Sequence, residues 1–114
     1  MDDPVGDVAN IHAHGELGAD QESALEGSLG GAARSGAREV LVDLADVTYI
    51  SARVLRQLVV ARRRLARTGR SLIVVAPDGP VRRAIELAGP GALEVYDSEG
   101  DALDAVARRA SGNA

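Results

Sequence analysis

The sequence predicts one α/β domain built on a mixed, mostly parallel sheet with about four helices. Three observations predict it. Strand-like and helix-like segments alternate in the order β-α-β-α-β-α-β-α, the pattern that parallel sheets with right-handed crossovers produce. The run Leu41-Val42-Asp43-Leu44 follows Glu39-Val40 with almost no polar interruption, as in a strand covered on both faces. A length of 114 residues suits a single compact domain, and a hydrophobic content of 46% is enough for a core. Aromatics are only 2%, with no Phe or Trp, so Val, Leu, Ile and Ala must fill that core.

Each element has its own signal. Val8 to His14 reads as the first strand, and Gly15-Glu16-Leu17-Gly18 as the turn that ends it. Asp20 is placed to cap the first helix, whose stripe is Ala24, Leu25, Leu29, Ala32 and Ala33. Gly30, Gly31 and Gly36 weaken that helix and end it. Glu39 to Leu44 is the central strand, followed by a short polar-apolar loop. Ser51 then stands as N-cap of the longest helix, Ala52 to Thr68, which Gly69 closes. Ser71 to Ala76 is a second buried strand, and Pro77-Asp78-Gly79-Pro80 is a turn. Val81 to Ala88 is a short helix stopped by Gly89-Pro90-Gly91, and Ala92 to Tyr96 is the last strand. Ser98 caps a final helix through about Arg109, with Asp101 at the capping-box position. Residues 1–7 are expected to form a loose arm or a poor edge strand, 8–110 the domain, and 111–114 a frayed tail. The pattern leaves open whether helices cover one face of the sheet or both.

Composition excludes several function classes. With no Cys there is neither a disulfide framework nor thiol chemistry. The apolar runs fall well short of the ~20 residues of a membrane span. The start is acidic at Asp2 and Asp3 with no apolar segment after it, so a cytoplasmic protein is expected. A net charge of -4 argues against nucleic acid as partner. All 13 basic residues are Arg. Without Lys the chain cannot supply the phosphate-binding Lys of a P-loop or form a Schiff base. It also lacks the essential Lys of a response-regulator receiver domain, which likewise places an Asp at a strand end.

Several residues carry candidate chemistry. Ser51 reads first as an N-cap, accepting a hydrogen bond from the N–H of Arg53 or Val54; a phosphoacceptor is the second reading, with Thr48 a weaker one. Val54, Leu58, Ala61 and Leu65 recur at helical spacing and should face the core. Arg53, Arg56, Val60, Arg63, Arg64 and Arg67 fall on another face. That stripe suits docking to an acidic partner and equally suits a solvated face. His12, His14 and Glu16 alternate along a strand and could share a side; two edge-strand histidines are the plainer reading than a metal site. Asp43 and Asp46 flank the loop and read mainly as loop-shaping groups, with acid-base work the alternative. Gly27, Gly30 and Gly31 do not follow a strand in dinucleotide-fingerprint spacing, so no cofactor is assigned.

Several stretches resemble, in order and spacing, the STAS domain of bacterial anti-sigma factor antagonists. Gly15-Glu16-Leu17 resembles that family's turn after its early strand. Val40 to Ile50 is similar to the strand running into a Val-Thr-Phe-Ile loop. Pro80-Val81-Arg82-Arg83 with Leu87-Ala88-Gly89 resembles the penultimate helix and its stop, and Tyr96-Asp97-Ser98 with Ala102-Leu103 resembles the ending. The likeness runs from about Val8 to Ala107.

The resemblance implies a function and then removes its usual switch. In the family the loop continues Asp-Ser-Ser/Thr-Gly. The first Ser is phosphorylated by a kinase that doubles as the anti-sigma factor, and the unmodified domain binds that kinase. This chain reads Ser51-Ala52-Arg53-Val54 there. Ala52, at the phosphoacceptor position, has no hydroxyl. The expected role is a regulatory protein-binding module, not an enzyme, contacting an anti-sigma kinase or another regulatory protein. The expected contact residues are Asp46, Thr48, Tyr49, Ser51, Ala52, Arg53, Arg56 and Val60. The alternative is a STAS-type adaptor subunit of a transport or stress-sensing complex. A weak homodimer through an apolar sheet edge is a further expectation. An enzymatic reading of Asp43, Asp46 and Ser51 lacks a neighbouring His, Lys or Cys in the sequence; only folding can bring the histidines there.

Overall fold

In a computed structural model, the structure describes residues 8–112. Four strands, β1 (Val8–Leu17), β2 (Glu39–Ile50), β3 (Ser71–Val75) and β4 (Glu94–Tyr96), alternate with four helices, α1 (Glu22–Arg34), α2 (Ala52–Ala66), α3 (Pro80–Leu87) and α4 (Glu99–Gly112). A single 3-10 turn, Ala19–Gln21, leads into α1. The sheet order is β1-β2-β3-β4 and every described pairing is parallel. The arm expected at residues 1–7 lies outside the described residues. Ser111 and Gly112 belong to α4.

The strand order decides where the helices go. The chain always steps to the next strand in the same direction, and right-handed crossovers then put each connecting helix on the same face. Accordingly α1, α2 and α3 share one core with Val40, Val42, Leu44, Leu72 and Val74. The helix α4 follows β4 and folds over the opposite face onto Leu41, Ile73 and Val75 through Ala102 and Val106. Alternate residues of β2 and β3 therefore feed two different cores, which is why both strands read as continuous apolar runs.

Two expected turns are strand instead. The first strand does not stop at His14, and β2 does not stop at Leu44; they pair on to Leu17 and Ile50. β3 reaches only the level of Asp43, so the rest of β2 forms a two-stranded arm with β1. The register shows why the arm bends. His12 pairs with Asp43 but His14 with Asp46, and Gly15 pairs with Val47 but Glu16 with Tyr49. Each shift adds one residue to β2, as in a bulge. Asp43 Oδ1 accepts the Ala45 N–H at 2.9 Å and satisfies the bulged backbone. Gly15, at φ 78, takes the matching left-handed position in β1.

Other boundaries shift by a residue or two. Asp20 is not the cap of α1; it sits inside the 3-10 turn, whose start is held by Gln21 Oε1 accepting the Gly18 N–H at 3.3 Å. The helix α2 ends at Ala66, and Gly69, at φ 72, turns the chain so that Arg70 N–H returns to the Leu65 carbonyl. The last strand is shortened to Glu94–Tyr96.

Candidate functional site

The arm ends where α2 begins. Leu17 and Ile50 are buried beneath this junction, and Ser51 N–H donates to the Leu17 carbonyl at 2.9 Å. Ser51 has the extended backbone of an N-cap, and its Oγ accepts the Val54 N–H at 3.1 Å. The hydroxyl oxygen is thus engaged with the helix it caps. Ala52 follows, exposed, as the first helical residue. The first turn of α2 contains no acidic residue, so nothing on that turn offsets the partial positive charge of the helix end. Beside it, Tyr49 is 53% exposed and Thr48 is exposed.

The remaining expected contact residues divide between two faces. Ala52, Arg53, Arg56 and Val60 line a groove of about 830 Å³ between α1 and α2. Its floor includes Leu29, Val40, Ala61 and Leu65, and Glu22 and Glu26 of α1 stand on its other wall. Arg53 pairs with Glu22 at 3.4 Å. Gln57 ties the two helices together by donating to the Glu22 carbonyl (3.1 Å) and to Glu26 (3.2 Å). The arginine helix alone does not reveal the acidic wall; the sequence signal for it is Glu22, Glu26 and Leu29 at i, i+4 and i+7.

Asp46 is not on that side. Val8 belongs to the α4-side core whereas Ala9, Ile11 and Ala13 pack with α1–α3; His12, even-numbered like Val8, faces the α4 side. The bulge after Asp43 turns Asp46 to the same side, and both carboxylates meet one imidazole. His12 Nδ1 lies 3.4 Å from Asp43 and Nε2 lies 3.0 Å from Asp46. A carboxylate only accepts hydrogen bonds, so an imidazole flanked by two donates at both nitrogens when protonated. Folding does bring a histidine to the two aspartates, which sequence spacing alone did not show.

Ala9, Ile11, Ala13 and Leu17 all pack in the α1–α3 core, so His12, His14 and Glu16 lie on the other side of β1, as their alternation predicts. His12 Nε2 is hydrogen-bonded to Asp46, and its Nδ1 edge faces Asp43. Among the described residues no group of three His, Cys, Asp or Glu side chains is arranged to hold a metal ion. No helix among them is long and apolar enough to cross a membrane.

A family model described as "Mlab, STAS domain" matches residues 2–94. Among solved structures, an anti-sigma factor antagonist from Mycobacterium paratuberculosis superposes with a TM-score of 0.81 at 24% identity, covering 93% of this chain and 98% of its own. The anti-sigma factor antagonist SpoIIAA in its unphosphorylated form gives a TM-score of 0.69 at 17% identity, covering 88% of this chain and 89% of its own. At these identities the likeness is one of fold. No curated protein sequence gives a significant match. The sheet with its capped central helix is therefore the family's fold, and the chain belongs to the STAS domain family.

Proposed function

We propose that this STAS domain is a regulatory protein-binding module of the anti-sigma-factor-antagonist type, fixed in one state rather than switched by serine phosphorylation. It docks through the end of the β1–β2 arm and the start of α2. Tyr49 supplies the exposed apolar anchor, and Thr48 beside it together with Ala52, Arg53, Arg56 and Val60 of α2 make up the rest of the surface. Asp46, on the far side with His12, shapes the arm instead.

One observation carries the reading: Ala52 occupies the exposed first turn, and the neighbouring Ser51 oxygen already holds the Val54 N–H. A phosphate adds about -1.5 to -2 charge and is tolerated at a helix N-terminus; its disruptive effect falls on a partner pressed against that end. With no hydroxyl at Ala52, such a partner stays bound. The test is incubation with a cognate anti-sigma kinase and ATP, read by intact mass. The protein mass stays unchanged. Stoichiometric phosphate would remove the fixed-state reading, and mapping it to Ser51 would restore a switch.

The missing hydroxyl also favours a second reading, a STAS-type adaptor subunit in a transport or stress-sensing assembly, where no phosphorylation is needed. Pull-down from the host separates the two: a histidine-kinase-like anti-sigma factor supports the antagonist, and an ATPase or membrane complex supports the adaptor.

A further inference from the structure

We infer that the α1–α2 groove seats an acidic amphipathic helix of the protein partner, with two carboxylates about two turns apart pairing with Arg56 and Arg64. The inference rests on the docking reading above and names the partner's chemistry. The groove runs beside α2 from Ala52 and past the helix end at Ala66 to Thr68, about 21 Å of helix at 1.5 Å per residue plus the turn beyond it. That length fits a helix of roughly sixteen residues. Its floor is apolar: Leu29 and Ala61 are only partly buried against the core, and Val60 is half-buried beside them. On the α1 wall Gly30 and Ala33 line the groove, and the Arg34 guanidinium lies over Gly30.

Charge selects the occupant. Arg53 is paired with Glu22. Arg70, at the far end, donates to the carbonyls of Ala37 (2.7 Å) and Ala32 (3.2 Å). Glu26 accepts from Gln57. Arg56 and Arg64 have no ion-pair or hydrogen-bond partner for their guanidinium groups among the described residues, although both line the groove. They are eight residues apart, about 12 Å along the axis, with Val60 between them. A small anionic amphiphile neutralises one of them at most. A helix with an apolar stripe and two carboxylates about two turns apart satisfies both while covering Val60, the usual way an amphipathic helix fills a groove. The seat continues the docking surface, since Ala52, Arg53 and Arg56 belong to both.

The test titrates a stapled helical peptide of about sixteen residues, with a leucine stripe and two glutamates seven positions apart, into the isotopically labelled full chain. Amide shifts fall on Gly30, Ala33, Val60 and Ala61. Replacing both glutamates by glutamine, or using the double variant Arg56→Gln/Arg64→Gln, weakens binding about tenfold or more. Equal binding by both peptides, shifts elsewhere, or absence of binding overturns the inference. So does laurate displacing the peptide at lower concentration, which makes the groove a small-amphiphile site. The docking reading is scored separately with the captured partner. Loss on Tyr49→Ala but tolerance of Arg56→Gln/Arg64→Gln overturns the groove and leaves the docking reading standing.

Discussion

Ser51 and Ala52 show how much two adjacent side chains decide. Ser51 holds the start of α2 through one hydrogen bond to Val54. Removing an N-cap oxygen costs about 1 kcal/mol, so Ser51→Ala should lower the unfolding free energy by that much, seen as a lower urea midpoint at an unchanged slope. Ala52→Glu should do the reverse to stability and harm binding. A carboxylate in the first turn is stabilising by about 0.3–1 kcal/mol, while a partner pressed on the helix end meets a new negative charge. Melting and partner titration on the same variant check both halves; equal partner affinity would move the docking surface elsewhere. The cap was legible in the sequence, because a Ser before an apolar-periodic segment is a local signal. The His12 cluster was not. It depends on a bulge that lets Asp43 and Asp46, three residues apart, turn to the same imidazole, and nothing local announces a bulge.

At the scale of elements, every helix and strand is legible in the sequence, but the first two strands run longer than their apolar pattern. Gly15 and the Asp46–Thr48 stretch look like turn chemistry, and alone they would be. Pairing between β1 and β2 overrides that preference, because each strand supplies the other's backbone partners. The helix α4 has the opposite character: it is held at its far end by buried charge. Glu39 is 5% exposed, and its Oε1 lies 3.9 Å from Arg109, too far for a hydrogen bond. Arg109 also donates to Glu94 and to Ser71. Burial pushes the Glu39 carboxyl above its ordinary range, Arg109 opposes that, and Glu94 adds to it. A carboxyl raised in the folded state binds its proton more readily there than in the unfolded chain. Its favourable contribution is complete below the unfolded value near 4.5, and is lost as pH rises through the folded value. Glu39→Gln should therefore be more stable than the parent at pH 7 and lose that advantage near pH 4, by denaturant titration at both. Arg109→Met leaves two carboxylates without their cation and should cost about 2–4 kcal/mol at pH 7, toward the low end because Arg109 is partly exposed.

At the scale of the molecule, the strand order governs where function can reside. A doubly wound sheet reverses direction once and opens a ligand crevice at that point. This sheet runs β1-β2-β3-β4 without reversal, and its candidate site is a surface made by a strand arm and two helices on one face. The alternation of elements was legible, but the direction of winding was not, since the same periodicity serves either. The winding also separates the two cores, and this separation can be measured. Val106 packs against Ile73 and Val75 on the α4 face, whereas Leu58 packs with Val40 and Val42 under α2. Val106→Ala should cost about 1–2 kcal/mol and leave the amide resonances of Gly30 and Val60 in place. Leu58→Ala should cost about 2–5 kcal/mol and shift both, because the cavity opens beneath the groove itself. A similar shift from the two variants would mean that the sheet transmits packing changes from one face to the other. Partner binding at the arginine helix would then answer to α4, and the two layers would act as a single unit.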